Sequence, residues 1–212
     1  EFLEYLKAEL AESGAEVKLG VEVTPSMVRS INPDALVIAI GAKPIRLDIK
    51  GIEKLKTMTA SEALLRRDSV GNEPVIIGGG TTGCETAVYL ANHGKYVTVI
   101  EKMVELMPLD EVGYKYTTTV LWDMLKKAGV RAICKGEVLE AKPSSLVIRI
   151  GESKPFEIGA DTVIFSIGLK TDQQLVDSFK ATCAESYVIG DSRSPGRIKD
   201  AIHDGDRVGR LV

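Results

Sequence analysis

The sequence is poor in cysteine, histidine and aromatic residues. Its three cysteines, Cys84, Cys134 and Cys183, are an odd number at wide spacing. That argues against a disulfide scaffold and fits a reducing cytoplasm, and it excludes a CxxC dithiol and a compact cysteine-rich cluster motif. Each reads as a small buried hydrophobe. Long apolar runs are missing too. None approaches the roughly 20 residues a bilayer span needs, so no membrane partner is expected. Neither charge dominates: 27 Lys and Arg stand against 30 Asp and Glu, for a net charge of -3. The basic excess of a nucleic-acid binder is therefore absent. The opening stretch, EFLEYLKAELAES, is charged and amphipathic, unlike a secretory signal. A cytoplasmic location is expected. Glu1 already stands in a helical pattern of Phe2, Leu3, Leu6 and Leu10, with no cap and no preceding strand. The chain is expected to be a piece of a longer protein.

What is present is an ordinary globular balance, 44% hydrophobic and 27% charged over 212 residues. Helical spacing predicts helices over 2–13, 25–29, 82–93, 114–128 and 198–211. Apolar runs predict strands at 16–19, 35–40, 74–78, 96–101, 131–134, 161–167 and 187–189. Residues 47–72 read as a less regular connection. Between Val138 and Ile158, the short alternating runs LVIRI and PFEI are split by turn residues and predict a β-meander. Strands alternating with helices predict an α/β layered fold with parallel sheets.

The central motif is PVIIGGGTTGCETAVYLANHGKYVTVIEK. Gly78, Gly80 and Gly83 form G-x-G-x-x-G between an apolar strand and a helix, and a second strand ends at Glu101. That acid stands 101 − 78 = 23 residues after Gly78, near the spacing of about 20 typical of a dinucleotide unit. Gly78 allows the tight turn, Gly80 lets the backbone approach a pyrophosphate, and Gly83 lets the helix pack on the sheet. The loop Gly78, Gly79, Gly80, Thr81, Thr82, Gly83 would hold phosphates through amides at the positive helix end. Glu101 can accept hydrogen bonds from ribose hydroxyls and would repel a 2′-phosphate, favouring NAD over NADP. The cation of Lys102 works against that preference. Glu85, in the first helical turn, either complements the helix dipole or accepts from a nicotinamide amide. A ligand-free glycine turn, or FAD in this loop, are the alternatives.

Three further motifs flank this unit: DALVIAIGAKP at 34–44, DTVIFSIGLKTD at 161–172 and SYVIGDSRSP at 186–195. With them the chain resembles, over nearly its whole length, the two-dinucleotide-binding-domain flavoproteins of the pyridine nucleotide–disulfide oxidoreductase fold. Within these, the glycine motif and the tail RIKDAIHDGDRVGR are most similar to the C-terminal region of NADH:flavin oxidoreductases of the 2,4-dienoyl-CoA reductase and 2-enoate reductase type. The resemblance implies a Rossmann-like NAD(P)-binding domain, 71–170, inserted in a truncated FAD-binding domain, 1–70 and 171–212. It implies FAD contacts at Gly41, Gly190 and Asp191, and a nicotinamide lying near Glu85 and Gly168. It also implies FMN and a 4Fe-4S cluster in an N-terminal barrel, which this sequence does not contain.

The family's first glycine loop, which would seat the adenosine end of FAD, is not in the sequence. The piece is expected to bind FAD weakly or not at all and to be inactive alone. The family's redox CxxC is missing, which excludes disulfide reduction. No catalytic acid–base residue and no metal ligand is expected in the chain, because the cofactor carries the redox chemistry. His93 reads as a helix C-terminal cap, and His203 as a residue near the flavin. Two other readings stay open: a ferredoxin- or rubredoxin-type NADH reductase of the same fold, and a non-catalytic dinucleotide sensor.

Overall fold

The computed structural model describes residues 2–107 and 115–212, of which 115–117 are described by backbone alone. The expectations for Glu1 and for a helix start at Tyr114 lie outside the described residues. In chain order the elements are α1 (Phe2–Glu12), α2 (Pro25–Ile31), β1 (Leu36–Ile38), β2 (Lys43–Pro44), β3 (Lys56–Thr59), α3 (Ala60–Leu65), β4 (Pro74–Ile77) and α4 (Thr81–Asn92). They continue with β5 (Thr98–Ile100), α5 (Lys115–Lys127), β6 (Arg131–Ile133), β7 (Gly136–Lys142), β8 (Ser145–Ile150), β9 (Phe156–Gly159) and β10 (Thr162–Phe165). The last are β11 (Leu169–Lys170), α6 (Gln173–Lys180), β12 (Ser186–Val188) and α7 (Ile198–Gly209). The chain forms two compact units, one ending at Gly41 and resuming at Asp172, the other running from Ala42 to Thr171.

The second unit has a five-stranded parallel sheet in the order β3-β10-β4-β5-β6. The central strands β4 and β10 are buried along their whole length, because both faces of the sheet are covered there. Side chains alternate across a strand, and here the alternation sorts them into two cores. Val75, Ile77, Ile100, Val163 and Phe165 pack with Ala141, Leu146 and Ile148 of the meander β7-β8-β9. Ile76, Val99 and Ile164 pack instead with Ala63 of α3, Ala87 and Leu90 of α4, and Leu121 and Leu125 of α5. Three layers result: helices, parallel sheet, antiparallel meander. The β-meander predicted between Val138 and Ile158 is present, antiparallel in both pairings.

The sequence boundary near residue 70 differs from the structural one at Gly41. The reason is pairing. Strand β3 lies in register with β10, Lys56 opposite Thr162 through Thr59 opposite Phe165. Ile49 and Leu55 are buried in the meander-side core, and the Ala141 amide donates to the Lys50 carbonyl at 2.8 Å. The stretch read as an irregular connection thus carries β3 and α3. Helix α3 starts in a capping box: Glu62 N–H donates to Thr59 Oγ1, and Thr59 N–H to the Glu62 carboxylate.

The first unit pairs β1 with β12 in parallel, Leu36 opposite Ser186. Its core is small: Val28, Ile38 and Phe179, with Leu36 and Val188 packed against them. Thr24 caps α2 by accepting the Met27 amide at 3.3 Å, and Pro25 fits the first helical position. The strand predicted at 16–19 is not formed. Leu19 is 87% exposed, and the segment pairs with no strand among the described residues, so nothing satisfies its backbone as a ladder. Helix α6 was not predicted. It follows Asp172, whose carboxylate caps the Leu175 amide, and buries Val176 and Phe179.

Candidate functional site

The glycine loop lies at the carboxyl end of β4, in the middle of the parallel sheet, where open α/β sheets bind their ligands. The four glycines there do different work. Gly78 has a φ of +108°, open to glycine and strained for other residues. A Cβ on it would also collide with the Ser166 carbonyl at the end of β10. A Cβ on Gly79 would collide with Leu106 and come within 2.9 Å of Glu101 Cβ. A Cβ on Gly83 would collide with the Gly78 carbonyl, so the close approach of α4 to the turn needs glycine. Gly80 is the exception. It is the N-cap of α4, its φ of -68° suits any residue, and an added Cβ would meet no atom within 4 Å. The protein's own packing gives no reason for glycine at that position.

Beyond Gly80 the helix begins. The Gly80 carbonyl accepts the Cys84 amide at 3.0 Å. The amides of Thr81, Thr82 and Gly83 precede that first helical bond, so α4 offers no carbonyl to them, and they point out of its positive end. Glu85, expected in the first turn, sits exposed just past it, at the start of the second. Glu101 closes the site from β5: Oε2 accepts the Gly79 amide at 2.6 Å and Oε1 the Met103 amide at 2.7 Å. Lys102 beside it is exposed. Gly168, at φ +94° with open space at its Cβ position, follows β10. Two residues before it, Ser166 is held to β4 by its amide on the Ile77 carbonyl at 2.8 Å. The loop, Glu85, Glu101, Lys102 and Gly168 therefore share one unit.

Cys84 is fully buried beneath the loop, its thiol donating to the Gly79 carbonyl at 3.3 Å. Burial, with the nearby Glu101 carboxylate second, pushes this thiol up to about 12. Burial and Glu101 likewise raise Cys134. Neither is a thiolate nucleophile at neutral pH. His93 places Nδ1 2.7 Å from the Tyr89 carbonyl at the end of α4, in keeping with a cap.

Gly41, Gly190 and Asp191 gather in the first unit. They line a cleft of about 340 Å³ with Ala39, Ile189 and Gly196. Gly41 and Gly190 both have positive φ, +73° and +55°. Two residues missed in the sequence hold the cleft's rim. Ser192, buried, accepts the Gly41 amide on Oγ at 2.8 Å. Asp204, whose side chain is 8% exposed, accepts the Gly190 amide at 3.0 Å and pairs with Arg193 at 3.1 Å. His203, singled out in the sequence, is exposed, and its neighbour Asp204 is the one turned inward. Helical periodicity carried that signal, since Val208 lies four residues on and is buried with Asp204.

Residues 4–200 match the family described as pyridine nucleotide-disulphide oxidoreductase. An NADH oxidase of Thermoanaerobacter brockii is 32% identical over 215 residues, covering 98% of this chain and 32% of the relative. A cinnamate reductase of Clostridium sporogenes is 26% identical over 203 residues, covering 96% of this chain and 30% of its own length. Among solved structures, a complex of 2-naphthoyl-CoA reductase has a TM-score of 0.86 at 29% identity, over 98% of this chain and 31% of that one. The α/β fold with its parallel sheet agrees with these matches. The chain spans about a third of the length of the curated relatives it matches.

Proposed function

The chain belongs to the pyridine nucleotide-disulphide oxidoreductase family, and from that premise we propose that it is the NADH-binding, hydride-accepting module of a flavin-dependent oxidoreductase of the enoate-reductase type. One observation carries the reading. Gly80 stands at the mouth of a helix N-terminus with open space before it, so what requires glycine there is a bound group rather than the fold. A pyrophosphate meets that requirement, because it needs close backbone approach and donors at a positive helix end.

In this reading the amides from Gly80 through Gly83 hold the pyrophosphate, with Gly78 and Gly79 shaping the turn and Thr81 and Thr82 flanking it. Glu101 accepts the adenosine ribose hydroxyls and repels a 2′-phosphate, so NADH binds more tightly than NADPH despite Lys102. Glu85 and Gly168 flank the nicotinamide. The cleft at Gly41, Gly190 and Asp191 holds part of FAD. When bound, NADH supplies a hydride and the flavin accepts it; the protein contributes position and electrostatics. FMN, a 4Fe-4S cluster and a barrel domain are the partners expected beyond this chain. An enoate or an unsaturated acyl thioester is the substrate there, a class to which the names of the cinnamate and 2-naphthoyl-CoA reductases point.

Gly80→Val tests this. The variant should stay folded, with a stability loss of about 1 kcal/mol on the scale of an N-cap change, since no atom lies within 4 Å of the new Cβ, and should lose measurable NADH binding by calorimetry. A Gly80→Val protein that binds NADH as the wild type does sinks the assignment.

A further inference from the structure

We infer that Leu106, with the Met107 amide beside it, is a positioning residue for the dinucleotide loop. The inference rests on the NADH reading above. Gly79 lies between the turn glycine and the phosphate-facing Gly80, and glycine is the residue with the most backbone freedom. Its peptide groups are nonetheless held on both sides. The amide donates to Glu101 Oε2 at 2.6 Å. The carbonyl accepts the Met107 amide at 2.9 Å and the Cys84 thiol at 3.3 Å.

The segment after Glu101 supplies these restraints. Met103 donates its amide to Glu101 Oε1 at 2.7 Å, and its carbonyl accepts the Lys135 amide at 2.8 Å. Met103 and Val104 are exposed, whereas Leu106 is only 1% exposed and packs against Gly79. Leu106 is thus the side chain that anchors the segment on the loop. Met107 takes a φ of +48°, a conformation that a side chain of this kind adopts only where its surroundings enforce it. The hydrogen bond to Gly79 is what it obtains there.

One peptide therefore ties together the two halves of the site, the phosphate loop and the ribose acid. With Leu106 in place, the Gly80 and Thr81 amides and the Glu101 carboxylate are fixed before ligand arrives. Such pre-organisation raises affinity by removing an ordering cost at binding.

The test is calorimetric titration of NADH and of ADP-ribose into the 212-residue chain and its variants. Leu106→Ala should weaken both ligands at least about tenfold by loss of pre-organisation. Leu106→Met, close in volume, should stay within about threefold of wild type. Leu125→Ala is the control: an equally buried leucine of the same core, whose loss should lower stability and leave affinity unchanged. Amide exchange of ligand-free wild type needs no variant, and the Gly79 and Met107 amides should be protected. Wild-type affinity in folded Leu106→Ala, equal weakening in Leu125→Ala, or unprotected amides would each overturn the inference. Failure of the wild type to bind NADH would overturn the dinucleotide reading first, and this inference with it.

Discussion

The Glu101 carboxylate and the Gly79 amide, 22 residues apart in the chain, meet at 2.6 Å. The acid that closes β5 is therefore part of the glycine loop's own scaffold as well as a candidate partner for the ribose.

Glu101→Ala should accordingly do two things. It removes the charge that would receive the ribose hydroxyls, and it releases the Gly79 and Met103 amides. NADH affinity should fall by about 1.5–3 kcal/mol, the range for hydrogen bonds to a charged group. Titration calorimetry reads this directly, and unchanged affinity removes Glu101 from the site.

Gly83→Ala separates fold from ligand in the opposite sense to Gly80. The new methyl would collide with the Gly78 carbonyl, and overpacking of this kind costs about 1–3 kcal/mol. Gly80→Ala should cost under about 1 kcal/mol, the scale of an N-cap change. Urea unfolding of the two variants should rank them in that order.

Cys84 contributes to the alkaline limb of stability. Its pKa is raised from 9.0 to about 12 in the fold. Between those values the unfolded chain has released a proton that the folded chain retains. Stability is therefore full below about 9 and declines as pH rises toward 12, by at most about 1.4 kcal/mol per pH unit. Cys84→Ala should flatten that slope in urea titrations run from neutral to alkaline pH. Iodoacetamide at pH 8 should leave Cys84 unmodified in the native protein and modify it in urea, as mass spectrometry would report.

Asp204→Ala should act within the first unit. It leaves the Gly190 amide without its acceptor and Arg193 without its buried carboxylate. The Gly190 amide is part-buried, so its loss of partner should cost about 1 kcal/mol, the low end for an unpaired donor. Amide exchange in Leu36–Ile38 should quicken, while exchange in Val75–Ile77 of the second unit should not change.

The loop was legible because three local signals coincide within 28 residues: a strand of apolar residues, glycines at fixed offsets, and an acid ending the next strand. Strand β3 escaped notice for the opposite reason. KTMT is short and weakly patterned, and what makes it a strand is β10, whose paired Thr162 lies far along the chain. The predicted strand at 16–19 failed on the same physics, since its composition was suitable but no strand among the described residues pairs with it. Leu106 and Met107 gave no sequence signal because their role is defined by Gly79, reached only through folding. Asp204 lay in plain view in AIHDG, yet the histidine drew attention. Which of two neighbours faces inward is decided by the helix face, which Val208 could have indicated.

The ladder of two short strands, Lys43–Pro44 against Leu169–Lys170, has a consequence for how such a protein diversifies. It brings the entry and exit of the Ala42–Thr171 segment side by side, so the segment behaves as a cassette clipped shut at its base. A segment with adjoining ends can be exchanged for another without restretching the chain that hosts it. Under the proposed function, preference between the two nicotinamide carriers could then change by recombination of this one block alone.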